Sequence, residues 1–207
     1  MSANKQFYAA ASLASAPSER MNKGCNGDIA PYGTGWLLKT SKLGDEVEIE
    51  TEVNYYRLLA KHGLMGKVTP LCDFGESDED GLVMSRINDC MSLRDAASHP
   101  LLTHGVWLDI CLAVSYALKA YLKAGFYHCD MHSDNVILEL VEDKWKAYII
   151  DWALAQHYSE DNLLKLKFNE WVDEAREDDV GYLVSHLKAN KKQPPLWWLK
   201  VLEVFES

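Results

Sequence analysis

Residues 128–135 read His128-Cys129-Asp130-Met131-His132-Ser133-Asp134-Asn135, and Asp151 closes an apolar run sixteen residues beyond Asn135. Three readings of this stretch are open when it is taken alone. In the first, Asp130 takes the proton of an attacking hydroxyl, while the Asn135 amide oxygen and the Asp151 carboxylate hold magnesium on a nucleotide's phosphates; hard oxygen ligands suit that ion. In the second, His128, Asp130, His132 and Asp134 are ligands of a transition metal serving a hydrolase. In the third, the segment is a solvated polar turn between a helix and a strand. The rest of the chain decides between them.

The chain has 207 residues, 48% of them hydrophobic and 25% charged, and its 21 basic and 31 acidic side chains leave a formal charge of −10. That length accommodates one core or two compact lobes more readily than two independent domains. Clustered positive charge is absent, which argues against nucleic acid or an anionic membrane as a partner, so an anionic ligand must be held by local groups. Cys25, Cys72, Cys90, Cys111 and Cys129 are odd in number and form no C-x-x-C pair, against a disulfide framework or structural zinc and in favour of a reducing compartment. Charges interrupt the apolar stretches before the roughly 18 residues of a membrane span, so no transmembrane helix is expected. Residues 1–19, rich in Ala and Ser, read as a flexible leader; their apolar core is too weak for a secretory signal and fits an export address of another kind.

Working outward, residues 20–39 read as short strands around glycine turns, the last ending at Lys39. Val53, Tyr56, Leu59 and Ala60 then recur at helical spacing between a capping Asp45 and a terminating Gly63. Two strands, in VTPLCDF and GLVMSRI, flank the acidic turn GESDED, which gives β-β-β-α-β-β over 20–87. From Thr103 to Gly125 a stripe of Trp107, Ile110, Cys111, Val114, Leu118 and Tyr121 marks a long core helix. NVILEL and KAYIID follow as strands around the polar turn VEDKW, a helix is expected through Val180, Leu183, Val184 and Leu187, and another short helix within PPLWWLKVLEVFES.

Asn22-Lys23-Gly24-Cys25-Asn26-Gly27-Asp28-Ile29, Trp36-Leu37-Leu38-Lys39, Glu52, Leu82-Val83-Met84-Ser85-Arg86-Ile87, the His128–Asn135 stretch, Asp151-Trp152-Ala153 and Asp179-Val180-Gly181-Tyr182-Leu183 stand in this order along the chain. In that order they resemble the stations of the protein-kinase-like superfamily: G-x-G-x-x-G-x-V, V-A-I-K, the regulatory-helix Glu, the hinge, H-x-D-x-x-x-x-N, D-F-G and the aspartate that anchors the catalytic loop. The resemblance runs from about residue 20 to 187. It implies an α+β, minimal two-lobed fold, with a β-rich N-lobe carrying one helix over 20–87 and a reduced helical C-lobe over 88–207.

The resemblance also implies roles. Asn22, Gly24, Gly27 and Ile29 cover the nucleotide, and Lys39 contacts its phosphates with Glu52 as partner, Glu48 and Glu50 competing. Met84 is the gatekeeper, Ser85 to Ile87 read the adenine edge, and Ile137 completes the nucleotide pocket. Asp130 is the catalytic base, Asn135 and Asp151 hold Mg2+ or Mn2+, and His128 packs structurally. Asp179, or its neighbour Asp178, anchors the loop backbone.

Departures from the family pattern refine the expectation. Cys129 replaces the arginine of H-R-D, which argues against a phosphate switch. Leu37 stands at the usual alanine over the adenine pocket. His132 and the wording I-D-W bring the catalytic loop close to that of aminoglycoside phosphotransferases. Only 56 residues follow Asp151 (207 − 151), which resembles the truncation of minimal Ser/Thr kinase effectors injected by bacterial pathogens. The sequence-based expectation is therefore an ATP- and magnesium-dependent protein kinase acting on Ser or Thr, monomeric, exported from a bacterium into host cytosol. Its partner would be a protein substrate such as a host chaperone or signalling protein. A small-molecule phosphotransferase, a pseudokinase, transfer of another group such as AMP, and a metallohydrolase are the alternatives.

Overall fold

β2 (Trp36–Ser41) shows how the first lobe is built: Leu37 and Lys39 alternate onto its buried face, as side chains of period two must when one face of a sheet is covered. In a computed structural model, which describes residues 2–14, 27–41, 46–74, 81–88, 90–158 and 179–185, this strand sits inside an antiparallel sheet. With β1 (Gly27–Pro31), β3 (Cys72–Asp73) and β4 (Leu82–Ser85) its order is β1-β2-β4-β3. The helix α2 (Glu46–Lys61) packs on β2 and β4, placing Val53, Tyr56 and Leu59 in the core. The expected strand within 20–26 lies outside the described residues.

VTPLCDF supplies only the two residues of β3. Pro70 carries no N–H for a ladder, and the chain before it curls into a turn with a Met65–Thr69 bridge. That turn bonds to the other lobe, Val68 O accepting from Ile149 N at 2.7 Å and Gly66 O from Lys146 Nζ at 2.7 Å.

The second lobe is organised around α4 (His104–Lys123), capped by the Thr103 side chain on Val106 N and burying Trp107, Ile110, Val114, Leu118 and Tyr121. By length and composition alone this helix could cross a membrane. Half of its apolar stretch is buried inside the fold, where α4 packs on the hairpin of β7 (Val136–Val141) and β8 (Lys144–Ile149). The hairpin turn is tighter than VEDKW, because Glu142 and Asp143 adopt φ of 48° and 73° and close it in two residues. β5 (Met91–Ser92) adds a third strand beside β7. It leads into α3 (Leu93–Ser98), whose first turn is capped by Ser92 Oγ accepting from Asp95 N, a contact worth about 1 kcal/mol. β6 (Phe126–Tyr127) and β9 (Gln156–His157) pair across the loop region, and a last helical segment covers 179–185. The helix expected in PPLWWLKVLEVFES falls outside the described residues. The fold is α+β, as the sequence implies.

The leader is corrected as well. Residues Ala3–Ala14 form α1, docked on the second lobe instead of extending freely. Phe7, only 3% exposed, packs edge-on against His99 and Trp145. Asn4 accepts from Trp145 Nε1 and donates to Asp109, while Ser2 Oγ donates to Asp143 at the hairpin turn. One buried aromatic and a few polar clasps outweigh the small-residue composition that reads as disorder. Truncating a buried Phe removes both transfer energy and packing, so Phe7→Ala should lower unfolding free energy by about 3 kcal/mol; urea denaturation followed by Trp fluorescence measures it.

Candidate active site

Lys39 reaches the floor of the first lobe because its strand alternation points it beneath the sheet, toward α2. Its Nζ lies 2.7 Å from Glu52 Oε2 and 2.7 Å from Asp151 Oδ1. Glu52 is therefore the partner on α2; Glu50 is exposed, and the side chain of Glu48 lies outside those described. Burial alone would pull the Lys39 ammonium toward neutrality, but the two carboxylates outweigh it and hold its pKa above the ordinary lysine value. Burial pushes the Glu52 carboxyl up, and although Lys39 opposes it, the neighbouring Asp151 charge acts in the same upward direction. The other Glu52 oxygen, Oε1, accepts from Trp152 N at 3.2 Å, so one side chain ties α2 to both the lysine and the segment after Asp151.

Asp151 adopts φ 65°, a left-handed conformation that Asp tolerates better than most residues. Trp152 fixes it from below. Its ring is fully buried and edge-on to Tyr121, Phe126 and His128, and its Nε1 donates to Ile149 O at 3.0 Å.

The catalytic-loop candidates are held by Asp179. Its Oδ2 accepts from His128 N at 3.0 Å and Tyr121 OH at 2.9 Å, and its Oδ1 from Cys129 N at 3.1 Å. The anchor is Asp179 itself, and it stabilises the positive φ of Cys129 (60°). His128 is fully buried; desolvation lowers its pKa, and the neutral ring donates from Nε2 to Ile150 O at 2.9 Å. Among the described residues no three His, Cys, Asp or Glu side chains gather as a metal site, so the transition-metal reading of His128, Asp130, His132 and Asp134 is corrected.

Asn135 Nδ2 donates to Asp130 O at 3.0 Å, which leaves its Oδ1 as the atom a hard cation could use. Asn135 N and O bond to His132 O and Ile150 N, so the loop holding Asp130 is stitched to the residue preceding Asp151. The donor set, an amide oxygen and a carboxylate, fits magnesium or manganese.

The remaining candidates are placed as follows. Ile29 is directly opposite Lys39 in the sheet, and Met84 opposite Leu37, so each pair shares a face. Met84 is buried in the core cluster. The Ser85 and Arg86 amides donate to the carbonyls of Leu71 and Gly35, at 2.6 and 2.8 Å. Ile137 is half-buried on the face of β7 opposite to Val136 and Leu138. Gly27 opens β1, whereas Asn22 and Gly24 lie outside the described residues.

Sequence reading missed three contributors: Tyr121 and Trp152, whose polar atoms are hidden in apolar stretches, and Arg94, whose Nη2 lies 2.6 Å from Asp134 Oδ2. It also gave no weight to Gly81. This residue has φ +150°, and a Cβ there would stand 2.3 Å from Lys39 O and 3.2 Å from Leu38 Cδ1.

No protein-family model matches this sequence, and none of the curated proteins matches it. Solved structures do match. WaaP in complex with acyl carrier protein is similar at 15% identity, over 86% of this chain and 78% of that one, with a TM-score of 0.51. The kinase domain of Mycobacterium tuberculosis PknI, in a doubly substituted form, is similar at 19% identity over 84% and 74%, with a TM-score of 0.52. At these identities the likeness is one of fold: the chain has the protein-kinase-like fold.

Asp179→Asn replaces a carboxylate that satisfies three buried donors with an amide that can accept at only one of its two heavy atoms. Loss of a buried charged acceptor from such a network should cost about 3 kcal/mol, read by chemical denaturation, with the mutant retaining the far-UV spectrum.

Proposed function

We propose that the chain is an ATP-dependent phosphotransferase that moves the γ-phosphoryl group to an alcohol hydroxyl, with Ser or Thr of a protein as the acceptor. The observation that carries the reading is the Lys39 ammonium at 2.7 Å from both Glu52 and Asp151. Buried ion pairs are poor devices for stability alone, because desolvation offsets much of the attraction. They make sense where a cation must be presented, oriented and charged, to a polyanion.

In this reading the acceptor oxygen attacks the γ-phosphorus, the bond to the ADP oxygen breaks, and the hydroxyl proton passes to the Asp130 carboxylate. Lys39 offsets negative charge on the phosphates, and Glu52 keeps it pointed at them. Asn135 and Asp151 would hold Mg2+ or Mn2+, which when bound supplies further charge neutralisation. The Ile87 amide is the hinge group offered to adenine.

The Asp130 side chain is 32% exposed at the surface of its loop, which suits a hydroxyl delivered on a polypeptide segment. For that acceptor the proposal is a host protein, met after secretion. A second reading has its own observation: His132 two residues after Asp130 and the wording Ile150-Asp151-Trp152 resemble aminoglycoside phosphotransferases, which favours a small acceptor such as an aminoglycoside or amino alcohol.

Incubation with γ-labelled ATP, a eukaryotic lysate and a panel of aminoglycosides and amino alcohols tests both. Label in Ser or Thr of protein is expected; label confined to the small molecules would transfer the assignment to the second reading. Removing a general base typically costs about 100-fold or more, so Asp130→Asn should fall by at least that, and Asp151→Ala should abolish transfer with an unchanged circular dichroism spectrum. Undiminished incorporation by Asp151→Ala would remove it as a metal ligand.

A further inference from the structure

Along the loop, Met131, Ser133 and Asn135 are buried while Asp130, His132 and Asp134 are partly exposed. This alternation sets the three exposed side chains in a row. His132 Nε2 is 3.6 Å from Asp130 Oδ2, and its Nδ1 is 3.7 Å from Asp134 Oδ2. The row is fixed at its far end, where Arg94 Nη2 meets Asp134 Oδ2 at 2.6 Å and Arg94 N donates to Ser133 O at 3.2 Å. The loop is thereby stapled to the start of α3 by backbone and side chain together.

One further bond determines what His132 offers. The backbone N–H of Asp134 donates to His132 Nδ1 at 3.3 Å. A ring nitrogen that accepts carries its lone pair, so in the neutral imidazole the proton belongs on Nε2. Nε2 is the nitrogen that faces Asp130.

We infer that His132 is a positioning residue for Asp130: its Nε2–H, fixed by the Asp134 backbone, faces Asp130 Oδ2 across 3.6 Å, longer than a hydrogen bond, and closes on that oxygen in the reacting complex, leaving Oδ1 to receive the acceptor proton. The inference rests on the phosphotransferase reading of this site. A carboxylate rotates broadly about its terminal torsion, and small misplacement of a reacting group can cost up to about 100-fold. Loss of His132 should therefore act on turnover and leave nucleotide affinity alone.

Two measurements on the full chain test this. Imidazole 15N NMR should show the Nε2–H tautomer for His132, and a predominant Nδ1–H tautomer would overturn the inference whatever the activity. Kinetics with γ-labelled ATP, reading phosphate release to water together with label transfer, would compare His132→Leu with His132→Gln, whose amide donor can reach the place of Nε2. The expected result is a kcat at least tenfold lower for His132→Leu, a KM for ATP within twofold, and recovery of most of kcat in His132→Gln. Equal losses in both variants would reduce His132 to loop packing and overturn the inference. Asp130→Asn separates the two levels: if it retains activity, the base assignment falls; if it is inactive while His132→Leu turns over normally, only the role of His132 falls.

Discussion

A lysine ammonium withdrawn from water and shared by two carboxylates is the constraint around which this fold is arranged. Lys39 comes from a central strand, Glu52 from a helix laid on that sheet, and Asp151 from the end of a hairpin in the other lobe. An uncompensated buried charge costs several kcal/mol, so none of the three elements can leave without loss to the other two. The bonds from Ile149 to Val68 and from Lys146 to Gly66 act in the same sense, tying the turn after α2 to the strand that leads to Asp151. Lobe packing and site assembly are thus one structural event.

The second lobe stores its order differently. Cys129 and Asp151 both sit at positive φ, conformations that cost energy and persist where surrounding contacts over-determine them. Asp179 supplies those contacts for the first, and the Trp152 indole for the second. With Cys129 in place of an arginine, loop order here comes from buried backbone donors bound to one carboxylate. The buried His128 ring adds to this order by holding the Ile150 carbonyl.

Much of this was legible in the sequence because the informative residues are polar at positions where polarity is costly. Lys39 at the end of an apolar strand, Glu52 on a helix with Tyr56 and Leu59, and Asp151 closing an apolar run all stand out against hydrophobic neighbours, and their order along the chain identifies the fold. The choice of Asp179 over Asp178 was not legible, since a one-residue shift changes neither composition nor spacing. Tyr121 and Trp152 read as core residues because they are core residues, and their hydrogen bonds depend on tertiary placement alone. The docking of α1 was hidden for a related reason: a run of Ala and Ser carries little signal, and the decisive contacts are with Trp145, Asp109 and Asp143, more than a hundred positions away. Arg94 reaches Asp134 through a similarly long-range contact that periodicity does not report.

Gly81 gives the site an unusual dependence. It lies just after the acidic stretch GESDED and has no side chain to offer chemistry, yet any Cβ at this position would strike the backbone carbonyl of Lys39. Position 81 therefore accepts glycine alone without moving the strand that carries the lysine. The constraint is one of space, at a residue that no search for functional groups would select.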